Sequence, residues 1–218
     1  MNIIWHGQSF FEIKVKGNKE TNELKIAIDP YEESLGLKVP KVEAAILLIT
    51  HSHPGHSNKK TILGHPFLVE EPGEYEVKEV FIKGIPAFHD NSAGKERGQV
   101  TIYKIEAEGM KICHLGDLGQ KELTENQLEE IGGVDVLMVP VGGTYTLGPK
   151  EAANVVSQIE PKMVIPMHYK LPKLKLDLEP VEKFLKIMGG EKKEPQKKVK
   201  VSPRDLASEE TEIVVLEP

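Results

Sequence analysis

The chain is short of several things, and each shortage excludes something. Its 218 residues hold one cysteine, Cys113, and one tryptophan, and aromatics total 6%. A lone cysteine forms no intrachain disulfide and rules out a Cys-rich zinc module. No apolar run approaches the roughly 20 residues that span a bilayer. The longest, Ala44 to Ile49, is strand-sized, so no membrane partner is expected. The opening segment, MNIIWHGQSFFEIKV, has no basic stretch followed by an apolar one, so no export signal is expected. A reducing, cytoplasmic setting follows as the default. Positive charge is in deficit: 28 Lys and Arg face 34 Asp and Glu, a net charge of −6. That balance argues against a nucleic-acid partner, and the Lys-rich stretch from Lys192 to Lys200 reads as a solvated loop. Few aromatics beside abundant Lys and Glu is a composition that heat-adapted proteins share.

What is present suits a folded protein. Hydrophobic residues make up 39% and charged residues 28%, ordinary values for a globular chain. With no linker and no fixed-period repeat, residues 1–218 are expected to form one domain. Ile3 to Trp5, Phe10 to Val15 and Leu24 to Ile28 read as strands, with a hairpin turn over Lys16 to Asn22. Val42 to Ile49 reads as one strand buried on both faces. Short β-rich runs then continue from Phe67 to Cys113, divided by Gly73, Gly84, Gly94, Gly98 and Gly109. Thr124 to Ile131 reads as a helix with a capping box, because Gln127 stands three residues after Thr124. Helices are also expected over Pro149 to Ile159 and Val181 to Met188, and strands over Val134 to Val141, Met163 to Met167 and Glu212 to Leu216. Strands that dominate early, then alternate with helices, imply an α/β fold: a four-layer αββα sandwich, two mixed sheets face to face with helices outside.

Chemistry concentrates after the strands. Thr50-His51-Ser52-His53-Pro54-Gly55-His56-Ser57 places three histidines within six residues, directly behind an apolar strand. His51 and His53 stand two apart, so an extended backbone would point both the same way. Imidazole suits Zn, Fe, Ni or Cu, and zinc sites need three or four N, O or S ligands. His89-Asp90, Asp117 in His114-Leu115-Gly116-Asp117, and His168 each follow another strand. Histidines and carboxylates at several strand ends make one pattern, because loops converge there to form sites.

This set, with Trp5-His6-Gly7-Gln8-Ser9-Phe10, Ile28-Asp29-Pro30, Arg97-Gly98, Pro140-Val141-Gly142-Gly143 and Pro166-Met167-His168-Tyr169, resembles the metallo-β-lactamase superfamily. Within it the likeness is to a bacterial branch of small zinc-dependent hydrolases related to L-ascorbate-6-phosphate lactonase. The resemblance implies one or two bound ions, zinc first with Mn, Fe or Ni as alternatives. His51, His53 and His89 would bind the first metal. His56 and His168 would help bind the second, and Asp117 would bridge the two. Asp117 and His168 would serve the chemistry most directly. A metal-bound water would attack a phosphoester or lactone in a small-molecule substrate. Asp29 is either an acceptor that orients a ligand imidazole or a turn residue before Pro30. His114 is expected to pack beneath the site and Cys113 to pack in the core. Thr144 and Tyr145 in the Gly-Gly-Thr-Tyr-Thr loop are candidates for substrate contact, as are Tyr169 and Lys170 beside His168.

Two positions depart from the family pattern. Gly55 stands where an aspartate usually precedes the third histidine, and Gln8 stands where histidine is common. The missing carboxylate leaves His56, Asp117 and His168 for the second ion, with Asp90 expected to substitute in part. A weakly active or non-catalytic, metal-binding member with a regulatory role is therefore the competing expectation. True β-lactamase activity is not expected without an export signal.

Overall fold

The computed structural model describes residues 1–17, 23–189, 194–206, 208 and 210–218. The expected hairpin turn after Lys16 and the start of the Lys-rich loop lie outside the described residues. In chain order the strands are β1 (Asn2–Trp5), β2 (Phe11–Lys16), β3 (Glu23–Ile28), β4 (Val42–Glu43), β5 (Ile46–Leu48), β6 (Ile62–Leu63), β7 (Phe67–Val69), β8 (Gly73–Val77), β9 (Val80–Phe88), β10 (Gln99–Ala107), β11 (Met110–His114), β12 (Val136–Pro140), β13 (Met163–Met167), β14 (Val199–Lys200) and β15 (Glu212–Ile213). The helices are α1 (Glu125–Ile131), α2 (Pro149–Ile159) and α3 (Val181–Ile187).

The strands form two mixed sheets. One runs β14-β1-β2-β3-β5-β7 and the other β15-β13-β12-β11-β10-β9-β8, with a two-stranded β4-β6 ribbon beside them. In the first, β1 to β3 pair antiparallel while β3, β5 and β7 pair parallel. In the second, β8 to β11 are antiparallel and β11, β12, β13 and β15 parallel. This is the α/β architecture of two mixed sheets that the residue order implies. The sheets share one core: Ile13, Ile26, Ile46 and Leu48 from the first join Ile85, Tyr103, Ile112 and Val139 from the second. Successive strand residues point to opposite faces. Ala27 and Leu47, between those inward residues, enter a second core with Phe10, Tyr31, Val42, Ile49 and Ile62.

The helices are not shared equally. Among the described residues all three α-helices lie with the second sheet, α1 on β9, α2 on β12, and α3 against α2. The outer face of the first sheet is covered by the segment around Tyr31 to Ile62, whose only helical pieces are 3-10 turns at Glu33–Leu35 and Lys59–Thr61. The expected single strand over Val42 to Ile49 is two strands, since the chain leaves the β4-β6 ribbon at Ala44 and enters the main sheet at Ile46. Ala44 and Ala45, at the switch, belong to the same apolar run as β5 and carry no turn residue, while β4 contributes only buried Val42 and exposed Glu43, so periodicity could not reveal the switch. Strand β8 was likewise hidden behind Pro72-Gly73, and Gly84, read as a divider, lies inside β9. A Cβ at Gly84 would stand 3.0 Å from Pro72 Cα, so the neighbouring chain needs the missing side chain.

Candidate metal centre

Strands β1, β3 and β5 run one way in their sheet, and β9, β11, β12 and β13 run one way in theirs. Their C-terminal ends open on one edge of the molecule. Gln8 follows β1, Asp29 follows β3, His51 to His56 follow β5, His89 follows β9, Asp117 follows β11 and His168 follows β13. Hydrophobic strands thus deliver polar residues to a place where their own cores have ended.

The centre is built around one carboxylate. Asp117 Oδ2 lies 3.0 Å from His56 Nε2, 3.4 Å from His168 Nε2 and 3.5 Å from His89 Nε2. The other oxygen, Oδ1, accepts a hydrogen bond from Ser9 Oγ at 3.3 Å. His114, fully buried, donates from Nε2 to the Ser9 carbonyl at 3.0 Å and accepts the Gly116 N–H at Nδ1. It therefore packs beneath the site and ties the Ser9 segment to the Asp117 loop. The His51 ring lies 4.2 Å from His56, 4.6 Å from His53 and 4.8 Å from His89, centre to centre. Two groups of donor atoms fall within 4.8 Å of one another: His51, His53 and His89, and His56, Asp117 and His168. β5 ends at Leu48 and the chain bends at Ser52 and His53, so His51 and His53 converge from a bent segment rather than an extended strand, and His56 N then bonds back to His53 O.

Asp29, His51 and His56 satisfy the same distance criterion, but the Asp29 carboxylate is already engaged. It accepts from Thr50 N at 2.8 Å and Thr50 Oγ1 at 2.6 Å, and lies 2.8 Å from His56 Nδ1. Asp29 thus fixes the His56 ring from behind while Nε2 faces Asp117. It also holds φ at 52°, and Gln8 and His168 have φ of 54° and 51°. Three non-glycine residues in this sparsely populated region surround one site, a concentration that structure tolerates where function needs the geometry.

Taking the protein groups alone, burial would push His56 down, but the charges of Asp117 and Asp29 more than reverse this and raise it to about 10. Burial, reinforced by neighbouring His56, drops His51 to about 2. Burial opposes ionisation of Asp117, yet His168 and His56 hold its carboxyl well below the usual range. Among the described residues, the buried side-chain atoms without a hydrogen-bond partner are Gln8 Oε1, His51 Nε2, His89 Nδ1 and His168 Nδ1, all at this edge. Buried polar atoms are rarely left unpaired, and an imidazole lone pair such as that of His51 Nε2 is what a transition metal takes, while His89 and His168 turn their Nε2 atoms toward Asp117. The donor set fits a metal.

A cavity of about 220 Å³ opens above the centre, lined by His53, His56, His89, Asp117 and His168 together with Gln8, Gly55, Arg97 and Tyr145. Of the substrate-contact candidates, Tyr145 reaches it. Thr144 is exposed outside it. Tyr169 is buried against Trp5 at 5.0 Å and donates to the Leu216 carbonyl. Lys170 points to the Leu176 carbonyl at 3.1 Å. Asp90 does not join the donors, because its oxygens accept the N–H groups of Ser92, Gly94, Glu96 and Arg97. Cys113 is buried, and burial pushes its thiol up to about 12. Sequence reasoning missed Arg97 and Gln8 as cavity residues. It also missed Gly119 and Gly142, where a Cβ would stand 2.3 Å from His89 O and 2.1 Å from His168 O.

Comparison with known proteins places the chain in a family. The Beta-lactamase superfamily domain matches residues 2–168. A UPF0173 metal-dependent hydrolase of Thermococcus onnurineus is 34% identical over 211 residues, covering 84% of this chain and 90% of the relative. A Thermotoga maritima crystal structure from the metallo-β-lactamase superfamily is 36% identical and superposes with a TM-score of 0.78, covering 99% of this chain and 97% of that one. Igni18, a metallo hydrolase of Ignicoccus hospitalis, shares the fold at a TM-score of 0.66 and 22% identity, covering 100% of this chain and 95% of its own. The chain belongs to the metallo-β-lactamase superfamily, among its metal-dependent hydrolases.

Proposed function

We infer that this edge hydrolyses a small phosphoester or lactone, with His51, His53 and His89 holding one metal ion and His56, Asp117 and His168 a second. Zinc is the first candidate for this nitrogen-rich donor set, and the Thermotoga maritima relative carries a zinc-dependent description. The observation that supports the reading best is the meeting of three imidazole Nε2 atoms on Asp117 Oδ2, with His51 Nε2 buried and unpartnered. A bound ion lowers the pKa of water toward about 7 and polarises the scissile group.

The protein's own groups do the rest. Asp29 orients His56, and Ser9 turns Asp117 so that one oxygen faces the imidazoles. Among the described residues Asp117 is the one carboxylate on the cavity wall, so it would supply the negative charge that holds an ion among the imidazoles. A space of about 220 Å³ is below the usual range for drug-sized ligands, roughly 300–1,000 Å³, which favours a substrate of metabolite size. The lactonase-like branch and a cytoplasmic setting belong to the same reading.

Gly55 favours a second reading, a member that binds metal without turning over substrate. A Cβ there would meet only Leu35 Cδ1, at 3.7 Å, so the backbone at this position accepts a side chain. Zinc-reconstituted wild type and Gly55→Asp are to be assayed on bis-p-nitrophenyl phosphate and on neutral lactones. Turnover by wild type, lost by about 100-fold or more in Asp117→Asn, supports the hydrolase. A blank wild type beside an active Gly55→Asp supports the non-catalytic reading, and a blank pair overturns hydrolysis at this site.

A further inference from the structure

One cation stands at the mouth of the cavity with no acid assigned to it. Arg97 is exposed, lines the cavity, and makes no ion pair among the described residues, although the chain carries more acids than bases. An exposed arginine on a loop usually wanders. This one does not have that freedom, for two independent reasons. Its guanidinium carbon lies 5.0 Å over the ring of Tyr145, another cavity residue, a contact that orients the planar fork. Its backbone is pinned by Asp90, whose carboxylate accepts four N–H groups of the loop between 2.7 and 3.0 Å, including that of Arg97 itself at 2.8 Å. The loop is closed at its base by His89 N bonding to Gly98 O at 3.0 Å. His89 and Arg97 are thus the two ends of one rigid turn, so the histidine of the metal centre and the arginine above it are held at fixed separation.

We propose that Arg97 is the specificity-determining residue of the cavity and selects substrates that carry an oxyanion, a phosphate or carboxylate, beside the bond that is cleaved. The proposal rests on the hydrolase reading and supplies its substrate class. A planar guanidinium presents two parallel N–H groups to two oxygens, and pre-positioning it removes the ordering cost that an exposed side chain otherwise loses on binding. Tyr145 supports the fork from behind, and Asp90 is a positioning residue that acts through the backbone.

The test uses the full chain loaded with zinc, as wild type, Arg97→Gln, Arg97→Lys and Lys95→Gln, the last removing a positive charge from the same loop outside the cavity. Binding of inorganic phosphate and of acetate is read by calorimetry, and hydrolysis by the ratio of kcat/KM for bis-p-nitrophenyl phosphate over a neutral lactone. Metal content is measured throughout. Arg97→Gln is expected to weaken binding of one or both anions, and to lower the ratio, by roughly tenfold, with the loss in KM and metal content unchanged. Arg97→Lys recovers part of this and Lys95→Gln stays at wild type. Which anion loses affinity identifies phosphate or carboxylate as the group read. Equal anion binding in wild type and Arg97→Gln, or an equal fall on anionic and neutral substrates, overturns the proposal. If wild type hydrolyses neither substrate, the hydrolase reading fails, and the phosphate and acetate titrations still decide whether Arg97 binds an anion.

Discussion

One oxygen of Asp117 faces three imidazoles while the other is tied to Ser9, and His56 is gripped between Asp117 and Asp29. The two carboxylates raise His56 to about 10, against an ordinary value near 6.5. A group whose folded pKa is raised adds stability that is fully present below its unfolded value and is lost as pH rises through the folded one. Metal-free protein should therefore lose this contribution between about pH 6.5 and 10. A metal must displace that same proton, so its affinity should rise across the window. Thermal melts of metal-free and zinc-loaded protein from pH 6.5 to 10 are expected to separate increasingly with pH, and a constant separation would contradict the role given to His56. The histidines 51, 53 and 56 were legible as a candidate cluster in the sequence because their spacing behind an apolar run is unusual. Asp90 was not, because only the folded loop reveals four N–H groups consuming its oxygens. Arg97 and Gln8 escaped for a related reason: their place on the cavity wall depends on turns that carry no periodic signal.

At the scale of elements, strand ends bring the donors together and close-packed turns hold them. Gly142 sits so near His168 that a Cβ would lie 2.1 Å from its carbonyl oxygen, and Gly119 bears the same relation to His89 at 2.3 Å. Both contacts are with backbone, which cannot swing aside as a side chain can. Gly142→Ala should shift His168 and weaken metal binding by about 10-fold or more, the scale seen when support behind a ligand is lost, and zinc titration checks it. Wild-type affinity in this variant would show that the loop relaxes freely. The three helices were readable to within a residue or so, α1 through its capping box, in which Thr124 Oγ1 accepts from Gln127 N at 3.2 Å and Gln127 Oε1 accepts from Thr124 N at 3.0 Å. The break between β4 and β5 was not, since it falls at Ala44 and Ala45, inside an apolar run that holds no turn residue.

For the whole molecule, two sheets must stay in register for donors from both to meet. Tyr103 on β10 helps to lock them: fully buried, its hydroxyl donates to the Ile49 carbonyl at 2.9 Å and lies 3.2 Å from that of Val69, both beside strands of the other sheet. Tyr103→Phe leaves the buried Ile49 carbonyl without its donor, while that of Val69 keeps the Ile49 N–H, and should cost about 1–3 kcal/mol of stability, read by denaturant unfolding, while leaving metal stoichiometry at the wild-type value. The sequence order of strands and helices implied two mixed sheets. It did not reveal that α-helices gather on one of them, because the covering of the other is made of short 3-10 turns and a two-stranded ribbon whose apolar residues are scattered from Tyr31 to Ile62. The central claim, that imidazoles and a carboxylate from both sheets form a metal centre, is tested most directly by elemental analysis of purified protein after zinc reconstitution, for wild type and for the double variant His51→Ala with Asp117→Asn. One or two ions per chain in wild type and none in the double variant is the result expected here. A wild type that holds no metal, or a double variant that holds as much as wild type, would contradict it.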